Sequence, residues 1–498
     1  MDGEIQANNS SPKLVEPKVK TSAAIWLGVA NASTGLLCAF AEGTALTYFY
    51  HNFLGLNEWA SGLIWILFGI WNAINDPLYG FLADRTKSKL GRRRPWIRYG
   101  APIMAILFAI TWISFPAMKN NQWFLGFQMG ISLFLYDIVY TAIASAIYVM
   151  PYEMAVTDNA RSPIFVWNVV FSVVSFGAPM VLNGMLTTLI ETHADIFPWA
   201  MAAAGLVAGA LVFVSTFFYK ENGYHREEPQ PKFLEGLKQC VKNKSFLIFE
   251  VLSWTVIFAQ NALMLGLAYY AGMWASPDNN MYILYGALVV GALLSIVFYI
   301  LMRNKLGNKV EALIMCGSFG AGCLLASFLG QYFWVLVLGF FLVGIGFSGG
   351  LYLVPLVNGD VIDKDEVDNG SRREGVYAGI NSLITKPAGA IAQAIFPIFM
   401  GWAGFDATNK IKDENDNWVT NWEGQPESAK TGLFPSWFLV TGILLALSFL
   451  AMWFFPLHGK AWEDTKKELA IEHQKKEEAY EQKILAEMQA NQASGEAQ

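Results

Sequence analysis

The chain has 498 residues, 54% hydrophobic and only 15% charged, with a formal net charge of −6. It carries no basic domain, which excludes nucleic acid as a partner, and Cys38, Cys240, Cys316 and Cys323 have neither metal-motif nor disulfide-framework spacing. Apolar runs of about 20 residues recur throughout, so an all-α polytopic membrane protein is expected.

Twelve spans are predicted near 24–50, 58–83, 99–117, 122–152, 163–190, 197–219, 246–275, 281–302, 310–329, 332–357, 375–402 and 434–456. An even number puts both termini on one side. The 2–3 loop is dense in arginine and lysine. The 6–7 loop holds Lys220, Arg226, Lys232, Lys238, Lys242 and Lys244, the 8–9 loop Arg303, Lys305 and Lys309, and the 10–11 loop Lys364, Arg372 and Arg373. The opposite loops are nearly free of cations apart from Lys119 and the 403–433 loop, so both termini are expected to be cytoplasmic. The chain then divides into an N-terminal segment (1–23), a six-helix bundle (24–219), a central loop (220–245), a second six-helix bundle (246–456) and a charged tail (457–498). Lys89-Leu90-Gly91-Arg92 after span 2 and Lys305-Leu306-Gly307-Asn308-Lys309 after span 8 form a faint internal repeat, as in transporters built from two related halves. The segment before Thr21 shows no cleavage pattern, so span 1 is expected to do the targeting.

Span 1 carries Asn31, Thr34, Cys38 and Glu42 at steps of three, four and four, a polar stripe on an apolar helix. Such a stripe suits a cavity lining; Glu42 alternatively sits near the outer surface. Span 2 carries Asn72, Asn75 and Asp76, and Asn72 and Asp76 share a face. A carboxylate in hydrocarbon is costly and belongs against a cavity or another helix. Pro77 frees the carbonyl of Ala73 beside it. Together these are the hard oxygen ligands a small cation needs. Span 4 offers Tyr136, Asp137, Tyr140, Thr141 and Tyr148, whose aromatic faces and hydroxyls suit sugar rings or anchor helices. Asn168 in span 5 and Gln260-Asn261 in span 7 line a site or bond neighbouring helices. Span 11 carries Asn381, Thr385 and Lys386; so deep a lysine needs a counter-charge. The 403–433 loop reads as a solvated insertion and the tail, with Glu and Lys at helical spacing, as a solvated helix.

Asp76-Pro77, Gly80, Asp84-Arg85-Thr86, Gly91 and Arg92-Arg93-Arg94-Pro95-Trp96 resemble the helix 2–3 signature of the major facilitator superfamily. With Asn75 before Asp76 and the closing Pro95-Trp96, the version looks like the glycoside–pentoside–hexuronide:cation symporters, melibiose permease among them. The resemblance implies a cation site at Asp76, Asn72, Asn75 and Thr141, the last matching a cation-site position of that permease. Lys386 matches a helix 11 lysine near its sugar and cation sites. Glu42, Asn31, Asp137, Tyr140, Tyr148, Asn168, Asn381 and Lys386 are the expected substrate residues. Asp360, Asp363, Asp365, Glu366, Arg372, Arg373 and Glu374 resemble the family's charged segment between helices 10 and 11. With Asp84, Arg85, Arg92, Arg93 and Arg94 they are expected to form a gate of ion pairs; a solvated charged loop is the alternative. Asn72 stands where the melibiose permease has a carboxylate, which leaves one formal negative charge and suits a proton or a weakly held sodium ion. That permease's sugar-binding acids fall near Leu36 and Ala144 and its helix 5 arginine near Asn168, so its galactoside recognition does not carry over.

The expected function is therefore cation-coupled symport, driven by sodium or protons, of a glycoside, oligosaccharide or uronide across the plasma (inner) membrane, by a monomer with no cofactor. A carrier of lipid-like amphiphiles and a transporter-like nutrient sensor are the alternatives. The histidines, His51, His193, His225, His458 and His473, fall in loops, ends or tails, which argues against an intramembrane enzyme built on a buried histidine.

Overall fold

The structure is a computed structural model that describes residues 19–42, 44–86, 88–113, 115–118, 121–155, 157–172, 175, 196–221, 240–277, 279–370, 373–406, 409–412 and 418–495. Most of the central loop 220–245, the second half of span 5, Arg372 and most of the N-terminal segment lie outside the described residues, as do the side chains of Asp76 and Asp84.

The helices are α1 (Thr21–Ala41), α2 (Glu58–Asp84), α3 (Arg94–Thr111), α4 (Gln122–Met154), α5 (158–172), α6 (Phe197–Ser215) and α7 (Lys244–Met273). Met281–Leu329 is continuous in hydrogen bonding but breaks at Gly307, whose φ of +75° suits a residue without Cβ, so it counts as two spans, α8 (281–306) and α9 (308–329). Then come α10 (Phe333–Asn369), α11 (Glu374–Trp402), α12 (Glu427–Trp453) and a tail helix, α13 (Gly459–Gly495). Among the described residues eight helices are long and apolar enough to cross a membrane, the broken one counted once. With α2, α3 and α5 they fill the twelve expected positions. The chain is an integral multi-pass membrane protein.

Side chains the sequence supplies start three of the helices. Asn121 accepts from the Phe124 amide at α4, Asn243 from Ser245 and Phe246 at α7, and Asn280 from Tyr282 at α8. The outer faces are apolar. On α2, Leu63, Ile66, Ile70, Ile74 and Leu78 form an exposed stripe at helical spacing, while Asn75 on the other face is fully buried. One apolar core lies wholly within residues 19–219 and two within 254–445. Another joins Tyr152 of α4 and Phe165 of α5 to α7, α10 and α11. Across the middle α11 packs on α2 and α4.

Two expectations are corrected. The 403–433 insertion is not merely solvated. It forms an antiparallel ribbon, Lys410–Lys412 with Trp418–Thr420, and Trp422 packs on Tyr269 of α7 at 5.5 Å between ring centroids. Nor is the tail a free helix: Trp462, Leu469 and His473 are buried against the end of the molecule that also holds the 2–3 loop, called here the tail face.

Candidate functional site

α1, α4 and α11 enclose a cavity of about 270 Å³ between the two sets of six helices. Asn31, Tyr140, Thr141, Ala144, Ser145, Tyr148, Ala378, Ser382 and Lys386 line it. The volume lies at the lower edge of the range for small-molecule pockets. Tyr136 and Tyr140 stack at 5.9 Å, one turn apart on α4. Lys386 Nζ donates to the Asn72 carbonyl at 2.9 Å and also to Asn72 Oδ1. This contact joins α11 to α2 across the middle of the molecule and leaves an ammonium at the cavity wall.

Beside the cavity sits a fully buried carboxylate, Asp137. Trp71 Nε1 donates to it at 2.8 Å, Asn75 Nδ2 donates to the same oxygen, and Thr141 Oγ1 donates to the other at 3.2 Å. Asn75 also reaches Thr141 at 3.2 Å, while its own Oδ1 is buried without a partner among the described residues. Carboxylate, hydroxyl and amide oxygens thus converge here.

The expected sets are regrouped. Asn75 and Thr141 of the cation set gather around Asp137, which was read as a substrate residue. Asn72 turns away to hold Lys386. The Asp76 side chain lies outside the described residues, on the same helix one position from Asn75. Of the expected substrate residues, Asn31, Tyr140, Tyr148 and Lys386 line the cavity; Glu42, Asp137, Asn168 and Asn381 do not. Glu42 lies near Cys38, Tyr136 and Tyr140, Asn168 Oδ1 is buried without a partner among the described residues, and Asn381 Nδ2 donates to Tyr148 Oη at 3.3 Å.

The tail face is shut by charge. Gly91 turns the 2–3 loop at φ +119°, and a Cβ there would run into Glu221. The amides of Arg92, Arg93 and Arg94 all donate to the Glu221 carboxylate. Burial first, and the Glu153 charge second, push the Glu221 carboxyl up to about 7 against those donors. Trp96 Nε1 donates to Thr86 at 2.9 Å and closes the loop.

Arg92 and Arg93 pair with Glu153 of α4 at 3.3 and 3.0 Å, and Arg92 reaches Glu374 of α11 at 3.9 Å. Arg94 caps the Thr216 carbonyl at 2.7 Å, and Arg85 is exposed. The expected 2–3 loop to 10–11 pairing is present in Arg92–Glu374, while Asp360, Asp363 and Arg373 take other partners. Asp360 binds Asn308, Trp462 and Lys466 at 2.8, 3.2 and 3.2 Å. Asp363 takes a two-pronged contact from Arg161 of α5 at 2.9 and 3.1 Å, and Arg373 turns to Asp365.

Lys466 bridges Asp158 and Asp360; burial opposes its charge, but the two acids outweigh it and hold the ammonium above the usual lysine range. His473 contacts Glu366 at 2.9 Å. Glu153, Asp158, Arg161, Asn308 and Lys466 join these contacts although the sequence does not single them out. Glu153 and Arg161 flank the 4–5 turn, inside or beside apolar spans, and their cost there was the available signal.

A family described as "MFS/sugar transport protein" matches residues 28–459. The chain is 23% identical over 453 residues to an uncharacterized symporter, YnaJ, of Bacillus subtilis, covering 89% of this chain and 94% of that protein. It is 22% identical over 462 residues to a glucuronide carrier protein homolog of Escherichia coli, covering 90% and 94%. Among solved structures, the major facilitator transporter FucP in its outward conformation superposes with a TM-score of 0.59 at 14% identity, over 88% of this chain and 99% of that one. Matched over most of its length, the chain belongs to the MFS/sugar transport protein family.

Proposed function

We propose that this membrane protein carries a sugar acid or glycoside together with a proton or a sodium ion, in a plasma membrane with both termini cytoplasmic. The carrying observation is the cavity between the halves, walled by tyrosine on α4 and by the Lys386 ammonium on α11. Tyrosine faces and hydroxyls suit a pyranose ring, and the ammonium suits the carboxylate of a uronide. The resemblance to a glucuronide carrier homolog supports the anionic choice. Asp76 is the proposed cation site, with Asn75, Thr141 and Asp137 beside it. A cation there offsets a buried charge, so its binding favours the arrangement that also forms the sugar site, and the two ligands assist one another equally.

Proteoliposomes offered methyl glucuronide and methyl glucoside under imposed sodium or proton gradients test this. Asp76→Asn is expected to abolish uphill accumulation while leaving exchange partly intact. Gradient-driven accumulation in that variant equal to wild type would reject the assignment.

A further inference from the structure

Two turns into α7, Glu250 is only 5% exposed. Neither of its oxygens has a hydrogen-bond partner among the described residues. Glu311 on α9 shares this state, but the Arg303 guanidinium lies within electrostatic reach of it. No such cation reaches Glu250 among the described residues.

Its neighbourhood is short of protons. Phe246 meets Tyr377 edge-on at 5.0 Å between ring centroids. α7 and α11 both start at the tail face, and one turn further along each are Glu250 and Asn381. Asn381 and Asn358 both donate to Tyr148 Oη at 3.3 Å, and the Oδ1 atoms of both amides are buried without a donor. Tyr148 lies within electrostatic reach of Glu250 and lines the transport cavity. The cluster thus holds a carboxyl group and two amide oxygens that lack a donor.

The other groups around it bring no free charge. α4 presents Tyr148, and Cys240 lies just before α7. α11 presents Tyr377, bonded to Asn243, and higher up Lys386, bonded to Asn72. α10 presents Asn358 and, at its end, Asp365 held by Arg373. α12 has no charged residue after Lys430.

We propose that Glu250 is a proton-binding site of the C-terminal half, separate from the cation site on α2, and that its proton stabilises the arrangement with the tail face shut. A bare carboxylate this buried and without a partner is costly, and a neutral acid is much less so. Opening the tail face admits water to this end of α7, where the carboxylate is solvated and gives up its proton to that water. The shut arrangement therefore binds the proton more tightly, and by reciprocity acid favours the shut arrangement.

The proposal shares alternating access with the symport reading, but its first test needs no substrate. Infrared titration of the reconstituted protein, with the proton as the probe, is expected to show a protonated-carboxyl band that Glu250→Gln removes and Glu311→Gln leaves. Glutamine mimics the neutral acid, so this variant folds. The second readout is thiol modification of Ser382→Cys from the tail face, taken relative to a free cysteine at the same pH; this ratio should rise about tenfold from acid to alkaline pH and lose that dependence when Glu250→Gln is added. An unchanged carboxyl band in Glu250→Gln overturns the proposal. So does a band that responds to sodium at constant pH, or accessibility that ignores pH in the parent.

Discussion

Asp137 and Lys386 show what one residue can report. Asp137 is fully buried with donors from Trp71, Asn75 and Thr141, so Asp137→Asn replaces an acceptor by a group that is half donor and leaves two N–H groups facing an amide. A loss of about 1–3 kcal/mol of stability is expected, read as a lowered thermal midpoint in detergent. An unchanged midpoint would mean that the three donors find other partners. Lys386→Ala frees Asn72 and removes the cavity's ammonium. It should reach the membrane, lose uronide uptake by at least about tenfold, and bind neutral glycosides more nearly as the parent does. The Lys386 prediction was legible in the sequence, because a lysine deep in an apolar span has few reasons to be there. The partnership of Asn75 with Asp137 was not. The two residues are 62 positions apart and meet only through the packing of α2 on α4.

At the scale of elements, α13 is the most instructive. Its alternating Glu and Lys read as a solvated helix, yet Trp462, Lys466, Leu469, His473 and Lys476 recur at steps of four, three, four and three. That is one face, and it is the face that docks. Trp462 and Lys466 hold Asp360, Lys466 also holds Asp158, and His473 and Lys476 hold Glu366. The stripe is mostly polar, so a search for apolar periodicity passes over it. Asp158 opens α5 while Asp360 and Glu366 belong to α10, so the helix straps the two halves together at the tail face. Ending the chain after His458 should leave a folded carrier whose tail face opens more readily, seen as faster modification of Ser382→Cys from that side. Lys466→Ala should reproduce part of the effect, and a truncated chain with unaltered accessibility would show that the docking is passive. Spans α1–α12 were legible because each repeats the same apolar signal; the break at Gly307 was legible only as a loop, through its turn residues and cations.

The whole molecule is held with its tail face shut, and the Arg161–Asp363 pair is the sharpest test of how. Arg161 lies on α5 and Asp363 on α10, both are almost fully buried, and two N–H groups of one meet both oxygens of the other. Burying two charges is costly, so the pair adds little net stability; removing one partner leaves the other without its two-pronged contact at up to about 3–5 kcal/mol, and at less for Arg161, which keeps Asp158 at 3.6 Å. Opening the tail face lets water reach the stranded charge, so the penalty falls mainly on the shut arrangement. Arg161→Ala or Asp363→Ala alone should then shift the balance towards opening by between about a hundredfold and a few thousandfold. The double variant strands nothing and should return most of the way to the parent. Accessibility of Ser382→Cys from each face, measured in the parent, both single variants and the double, closes the cycle. A double variant more open than either single one would mean that the pair is a net attraction holding the halves together. A recovered double would mean that the gate works by the penalty of an unmatched charge. That same penalty gives the proposed cation at Asp76 and the proposed proton at Glu250 their leverage over the direction in which the cavity opens.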